Sequence, residues 1–66
     1  MFYLVDLERS IRTGVVHYWK ANKMGYTRDL DEAGLYEHKE AVNTVSADIQ
    51  GLTVMVSSEQ VKKINT

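Results

Sequence analysis

The segment from Tyr18 to Arg28 concentrates more binding chemistry than any other part of this 66-residue chain. It combines aromatic, cationic and hydrogen-bonding side chains, and the candidate ligand-binding residues are Tyr18, Trp19, Lys20, Asn22, Tyr26, Thr27 and Arg28. Aromatic faces stack on flat rings such as nucleobases, whereas Lys and Arg bind phosphate oxygens. The mixture therefore predicts a nucleotide site. The alternative is that Trp19 and one tyrosine simply form the core of a very small domain.

Charge is segregated along the chain, although the net charge is only -1. Residues 9–28 carry five cations and no acid, whereas residues 29–48 carry six acids and a single cation, Lys39. Five cations beside an acidic segment are too few to follow a long duplex backbone. The charge pattern therefore favours a small anionic ligand over a long nucleic acid. The alternative is that the charges pair between subunits, which fits Arg9 and Arg12 better than Lys20 and Arg28.

A chain of this length has little core, and it has no cysteine with which to form a disulfide. We expect one domain, residues 1–66, that gains stability by assembling into a homo-oligomer, either a dimer or a tetramer. The opening segment, Met1 to Asp6, has neither the basic region of a signal peptide nor the length of a membrane span. We therefore expect an intracellular protein that has no membrane partner.

The elements that must position the candidate site follow from the apolar pattern, which predicts an α+β fold. We expect a small, mainly antiparallel sheet of three to four strands, with one principal helix packed on one face and a short C-terminal helix. Strands are predicted at residues 2–7, 15–20, 26–28 and 52–56. Between them, residues 8–13 are predicted as a polar turn, 21–25 as a chain reversal and 29–36 as a structured loop. The principal helix is predicted over residues 36–48, and Ser57 or Ser58 is expected to cap the last helix, which includes Val61 and Ile64.

Side-chain alternation divides the aromatic residues of the second predicted strand between the two faces of the sheet. Trp19 shares a face with Val15 and His17, whereas Tyr18 shares the other face with Lys20. Because a tryptophan beside a valine is more often part of a core, Tyr18 and Lys20 are the better pair of site residues in this interpretation.

Catalytic chemistry has little support in the sequence. His17 and His38 lie in different predicted elements without a metal-ligand pattern around them, so we expect no metal and no cofactor. The chain also has no serine-nucleophile motif and no glycine-rich phosphate loop. We therefore expect a binding protein and not an enzyme.

Three short motifs occur in a fixed order over residues 15–45. They are Tyr18-Trp19-Lys20-x-Asn22-x-x-Gly25-Tyr26-Thr27, then Ala33-Gly34-x-Tyr36, then Glu40-Ala41. In order and spacing they resemble a family of short, phage-encoded anti-CBASS sponge proteins. Such proteins sequester cyclic dinucleotide signals such as 3′3′-cyclic GMP-AMP (3′3′-cGAMP) without cleaving them, so that the effector of the host's defence is not activated. This chain departs from the family where Lys20-Ala21 replaces a proline that often follows the aromatic pair.

The resemblance implies a homo-oligomer in the cytoplasm of an infected bacterial host, with the ligand at a two-fold subunit interface. It implies that Tyr18, Trp19 or Tyr26 stacks on a base, that Lys20 and Arg28 bind the phosphates, and that Asn22 and Thr27 bind base edges or 2′-hydroxyls.

Two alternatives follow from the same residues. The acidic region 29–48 is compatible with an inhibitor that covers a basic surface on a host enzyme, as a nucleic-acid mimic does. A cyclic ADP-ribose signal is an alternative ligand for a sponge.

Overall fold

The computed structural model describes residues 1–64, with side chains described as far as Val61. Its four strands are β1 (Phe2–Asp6), β2 (His17–Trp19), β3 (Tyr26–Thr27) and β4 (Thr53–Ser57). Its helices are α1 (Leu7–Thr13), α2 (His38–Ala47) and α3 (Ser58–Ile64), with a short 3₁₀ turn at Ala21–Lys23. The strands form one antiparallel sheet in the order β3-β2-β1-β4. The predicted α+β fold, with a principal helix and a short C-terminal helix, is confirmed.

Strand β1 is an inner strand of the sheet and contributes half of the buried apolar residues in the described part of the chain. It pairs with β4 over its whole length, with Leu4 opposite Met55, and with β2 through Val5 opposite Tyr18. Tyr3, Leu4 and Val5 are all buried. Because successive side chains of a strand point to opposite faces, both faces of the sheet must be covered at β1.

Helix α2 covers one of these faces. Leu4, Tyr36 and Ala41 form a buried cluster against which Trp19, Met55, Phe2 and Val45 pack. Ala41 and Val45 are four residues apart, which places both on one side of the helix. The Thr44 hydroxyl is buried on the same helix and donates to the Glu40 carbonyl at 2.9 Å. This packing brings α2 over the part of the sheet that contains Trp19.

The predicted polar turn over residues 8–13 is wrong, because these residues belong to helix α1. The Asp6 carboxylate caps the helix by accepting from the amides of Glu8 at 3.1 Å and Arg9 at 3.4 Å. Gly14 ends it in the left-handed conformation with φ of 77°. Caps at both ends stabilise a short helix that has no buried residue of its own. The helix was not predicted because the prediction relied on the spacing of apolar residues, and this helix has no apolar stripe.

Several predicted boundaries were too wide. Strand β2 begins at His17, and Val15 and Val16 before it are exposed. Helix α2 begins at His38 because Tyr36 is held in a β-bridge with Phe2. The C-terminal helix lies where it was predicted, and its Val61 is buried. The side chain of Ile64 lies outside the described part of the structure.

Candidate ligand-binding cleft

The reversal between β2 and β3 is a tight turn, residues 20–25, whose backbone is partly left-handed. The Lys20 amide donates to the Gly25 carbonyl at 2.8 Å. Within the turn Asn22 and Lys23 have φ of 57° and 58°. Asparagine adopts this conformation more readily than most residues, whereas for lysine it is uncommon. The turn therefore needs support from elsewhere in the chain.

That support comes from residues 33–36. The Tyr36 hydroxyl donates to the Lys20 carbonyl and accepts from the Lys23 amide at 3.1 Å. The Gly34 amide donates to the Trp19 carbonyl at 2.9 Å. A Cβ atom at Gly34 would lie only 2.5 Å from the Ala21 nitrogen, so no larger residue fits this approach. The Ala33-Gly34-x-Tyr36 motif therefore has a structural role, which is to hold the turn that separates Trp19 from Tyr26.

The turn places two aromatic side chains side by side. Trp19 and Tyr26 are register partners of β2 and β3, and their ring centroids are 5.5 Å apart with an interplanar angle of 79°. The Arg9 guanidinium carbon lies 4.3 Å from the centre of the Tyr26 ring. Arg9 is held there by Asp6, with 3.2 Å between Nε and Oδ2. We call the two rings, those of Trp19 and Tyr26, the aromatic wall.

The aromatic wall borders a cleft of about 400 Å³ between the sheet and the C-terminal end of α2. This volume is in the lower part of the range of about 300–1,000 Å³ that is usual for small-molecule sites. The cleft is lined by Asp6, Glu8, Trp19, Lys23, Tyr26, Thr44, Ala47, Asp48, Gln50, Leu52 and Thr53. One chain therefore offers room for a ligand with one or two rings.

The lining is electrostatically uneven. Three carboxylates (Asp6, Glu8 and Asp48) share the cleft with one ammonium group, that of Lys23. A hydrogen bond from the Thr53 side chain is the largest cause that lowers the pKa of the Asp48 carboxyl, against a burial contribution that raises it. Backbone amides that include those of Gln50 at 3.1 Å and Leu52 at 3.0 Å also bond to this carboxylate and lower its pKa. Asp48 therefore keeps its negative charge at neutral pH.

Trp19 has one further property that bears on binding. Its indole Nε1 is buried and, among the described residues, has no hydrogen-bond partner. A buried N–H donor without an acceptor costs about 1–3 kcal/mol. Trp19 packs against the core and also borders the cleft, so its place in the core is compatible with contact to a ligand.

The structure does not bring the seven predicted site residues together. Trp19 and Tyr26 line the cleft, but Tyr18 packs on Tyr3 at 5.7 Å between centroids, on the opposite face of the sheet. Thr27 is the register partner of Tyr18, and its hydroxyl accepts from the Asp29 amide at 3.0 Å. The cleft thus lies on the face with Trp19, and the choice of Tyr18 and Lys20 as the better pair of site residues stays a prediction.

The cationic and amide candidates also lie away from the cleft lining. Lys20 forms a β-bridge with Ala33, Asn22 is exposed in the turn, and Arg28 is exposed just after β3. In the part of the chain that the structure describes, neither Lys20 nor Arg28 has an ion-pair partner. Arg9, for which pairing between subunits was the alternative interpretation, pairs with Asp6 of its own chain.

Of the eleven residues that line the cleft, the sequence analysis selected only Trp19 and Tyr26. Lys23 was within the segment of interest but was not chosen, and its place beside Tyr26 follows from the left-handed turn. Asp48 and Thr53 are distant in sequence from the aromatic segment, and only the packing of α2 on the sheet brings them to it. The Asp6 cap was the one detectable signal, because an aspartate before a helical segment is a common N-cap.

No set of three or more His, Asp or Glu side chains that could hold a metal ion occurs within the described residues. None of the helices there has the length and apolar character needed to cross a membrane. A comparison of the chain with protein-family models, curated proteins and solved structures gives no match.

Proposed function

We propose that this protein binds a nucleotide signal and holds it without converting it, so that other proteins cannot use it. The observation that carries the proposal is the Trp19–Tyr26 ring pair in the wall of the cleft, 5.5 Å between centroids. Each base stacked on such a ring contributes about 1–3 kcal/mol to binding. Tyr26 is 38% exposed, so part of this residue is accessible to a ligand although the Arg9 guanidinium lies over its ring.

The charges of the cleft favour one orientation of the nucleotide. Carboxylates accept hydrogen bonds from amino groups of bases, so Asp48 and Glu8 suit the edge of adenine, guanine or cytosine. The same carboxylates repel phosphates. The base therefore enters the cleft with its amino edge towards the acids, and the phosphates stay near the Lys23 side.

We propose a cyclic dinucleotide such as 3′3′-cGAMP as the ligand, in line with the anti-CBASS sponge proteins that the chain resembles. Such a ligand has two bases, whereas one chain offers one cleft of about 400 Å³. Two clefts of a symmetric homo-oligomer would provide one for each base. Micromolar affinity needs about 8 kcal/mol, which two stacked bases and charge-assisted phosphate contacts supply after ordering costs. In a phage infection the protein would act in the cytoplasm of the bacterial host.

Calorimetric titration of the purified protein with a panel of cyclic dinucleotides and ADP-ribose derivatives tests this function. The complex is then heated, and the released nucleotide is identified by mass spectrometry. We expect tight binding of a cyclic dinucleotide that is released intact. Preferred binding of a cyclic ADP-ribose would identify a different ligand, and the proposed sequestering function would still hold. Release of a cleaved product would show an enzyme and contradict the proposal.

A second candidate function rests on the exposure of the acidic segment. Asp29, Asp31, Glu32, Glu37 and Glu40 are all exposed. None of them has an ion-pair partner within the described part of the chain. Five exposed carboxylates without an ion pair in the described part of the chain suit a basic protein partner. Charge reversal at Glu32, Glu37 and Glu40 would abolish inhibition by this route, whereas nucleotide binding in the cleft would persist.

A further inference from the structure

Strand β4 lies at one edge of the sheet, and its hydrogen-bond register identifies the backbone groups that face outward. Leu52 accepts from the Leu7 amide at 2.8 Å, and the Ser58 amide donates to Met1 at 3.1 Å. In an antiparallel pair, every second residue bonds to the neighbouring strand. The backbone groups of residues 52, 54, 56 and 58 therefore face β1. Those of Thr53, Met55 and Ser57 face away from the sheet.

Most of these outward groups are unpaired in the part of the chain that the structure describes. The Thr53 amide lies near the Asp48 carboxylate and helps to lower its pKa. The amides of Met55 and Ser57 and the carbonyls of Thr53 and Met55 have no partner there. Free amides and carbonyls in a row are a template for pairing with another strand.

The edge also lacks the features that usually prevent such pairing. The five residues of β4, Thr53–Ser57, include no charged residue and no proline, and three of them are Thr or Val. At the opposite edge of the sheet, β3 has only two residues. Short strands, charges and prolines are the ordinary protection of edges. Only β4 has both the length and the neutral character of a strand that pairs.

The sequence of β4 fits a second copy of itself. Read in either direction, it has a hydroxyl residue, valine, methionine, valine and a hydroxyl residue, Thr-Val-Met-Val-Ser. An antiparallel copy centred on Met55 therefore places Val54 opposite Val56 and Thr53 opposite Ser57. Valine pairs and Thr–Ser pairs across strands are both favourable. The unpaired groups meet as well, because the Ser57 amide reaches the Thr53 carbonyl and the two Met55 residues bond to each other.

We propose that β4 pairs with β4 of a second copy about a two-fold axis at Met55, which gives a homodimer with a continuous eight-stranded sheet. Helix α2 contacts both β1 and β4, so the two α2 helices of the dimer lie on the same face of the joined sheet. From Ala41 to Ala47 this helix has no charged residue, which permits close approach. The dimer does not depend on the nucleotide proposed above.

A mixing experiment with two cysteine variants tests the interface and its register. The chain has no native cysteine, so each introduced thiol is unique. Val54→Cys and Val56→Cys chains are prepared separately, mixed in equal amounts and oxidised. Because position 54 faces position 56 of the partner in a non-hydrogen-bonded pair, where Cβ atoms are closest, the mixture forms a disulfide-linked dimer. Each variant oxidised alone remains without the cross-link and is the matched control.

Equal cross-linking in the mixture and in the separate variants would contradict the proposed register, in which position 54 lies opposite position 56 of the partner. Sedimentation equilibrium of the unmodified protein provides a second readout, independent of whether the cysteine variants fold. We expect the mass of two 7.6-kDa chains at micromolar concentrations. A mass of one chain over the whole concentration range would overturn the dimer.

Discussion

Trp19 and Tyr26 meet edge to face, with 79° between their ring planes, because the backbone pairs them directly across β2 and β3. Edge-to-face aromatic pairs contribute about 0.5–1.5 kcal/mol beyond the area that they bury. Hydrogen bonds with Tyr36 and Gly34 stabilise the turn that joins the two strands. The aromatic wall is thus pre-formed by backbone pairing, and a ligand has little ordering cost to overcome at this position.

Replacement of Tyr26 by alanine removes the accessible half of the ring pair. We expect Tyr26→Ala to weaken nucleotide binding by about tenfold to a hundredfold, since a stacked base contributes about 1–3 kcal/mol. Calorimetry measures the affinity. Met24→Ala is the matched control, because Met24 is in the same turn, is 77% exposed and does not line the cleft. Equal affinities of the two variants would place the ligand elsewhere.

Neutralisation of Glu8 tests the orientation of the ligand. Glu8 lines the cleft and has an exposed side chain. We expect Glu8→Gln to weaken binding of a nucleotide and of its uncharged nucleoside alike by about twofold to fivefold, because an amide oxygen is a weaker acceptor for the base amino group than a carboxylate. The nucleoside responds in the same way because the interaction is with the base. Tighter binding of the nucleotide alone would instead show that Glu8 faces the phosphates.

The Tyr36 hydroxyl is expected to stabilise the fold. Tyr36→Phe leaves the Lys20 carbonyl and the Lys23 amide without their shared partner, at a cost of about 1–3 kcal/mol. Each kcal/mol lowers the melting temperature of a domain of this size by about 4–8 °C. Tyr3→Phe is the control, since Tyr3 is also buried but its hydroxyl has no hydrogen bond among the described residues. Thermal melts that match for both variants would contradict this role.

Alanine substitutions at Gly34 and Gly14 distinguish a steric loss of stability from one caused by backbone strain. Gly34→Ala places a methyl group 2.5 Å from the Ala21 nitrogen, so the backbone must move. Gly14→Ala meets no atom within 4 Å and is strained only by its φ of 77°, which costs about 1–2 kcal/mol. We expect the larger loss of stability at Gly34, together with loss of nucleotide binding. A larger loss at Gly14 in urea denaturation would contradict the proposed support of the turn.

Asp48 is expected to make stability depend on pH in the acid range. Its pKa is lowered in the folded state, chiefly by the Thr53 side chain, so the folded protein favours the charged form. This contribution is present above the ordinary carboxyl pKa of about 3.9 and is lost as pH falls through the lower folded value. Asp48→Asn should therefore be less stable than the unmodified protein at pH 7, and the difference should disappear in acid. A difference that stays constant down to pH 2 would exclude this origin.

The elements of the fold that could be predicted from the sequence are those with a clear pattern of apolar residues. The neutral run Leu52 to Val56 predicted β4, and the spacing of Ala41 and Val45 predicted α2. Helix α1 was missed because its stability comes from Asp6 and Gly14 at its ends and not from an apolar stripe. Local capping can thus outweigh periodicity in a helix of two turns.

Only a small part of the candidate site could be predicted from the sequence. Alternation correctly separated Trp19 from Tyr18, but it did not show which face has the cleft. That depends on where α2 packs, and on the loop that brings Asp48 and Thr53 to the aromatic wall. Such contacts between distant segments leave no local pattern in the chain. The motif around Gly34 and Tyr36 was recognised, but its role in holding the turn required the hydrogen bonds.

The emission of Trp19 during a titration with 3′3′-cGAMP tests the central claim most directly. Trp19 is the only tryptophan of the chain, so a change in its fluorescence reports the cleft wall itself. We expect a saturable change at micromolar ligand that is strongly reduced in Tyr26→Ala. Emission that remains constant up to about 1 mM ligand, a concentration that corresponds to only about 4 kcal/mol of binding, would contradict nucleotide binding at this site.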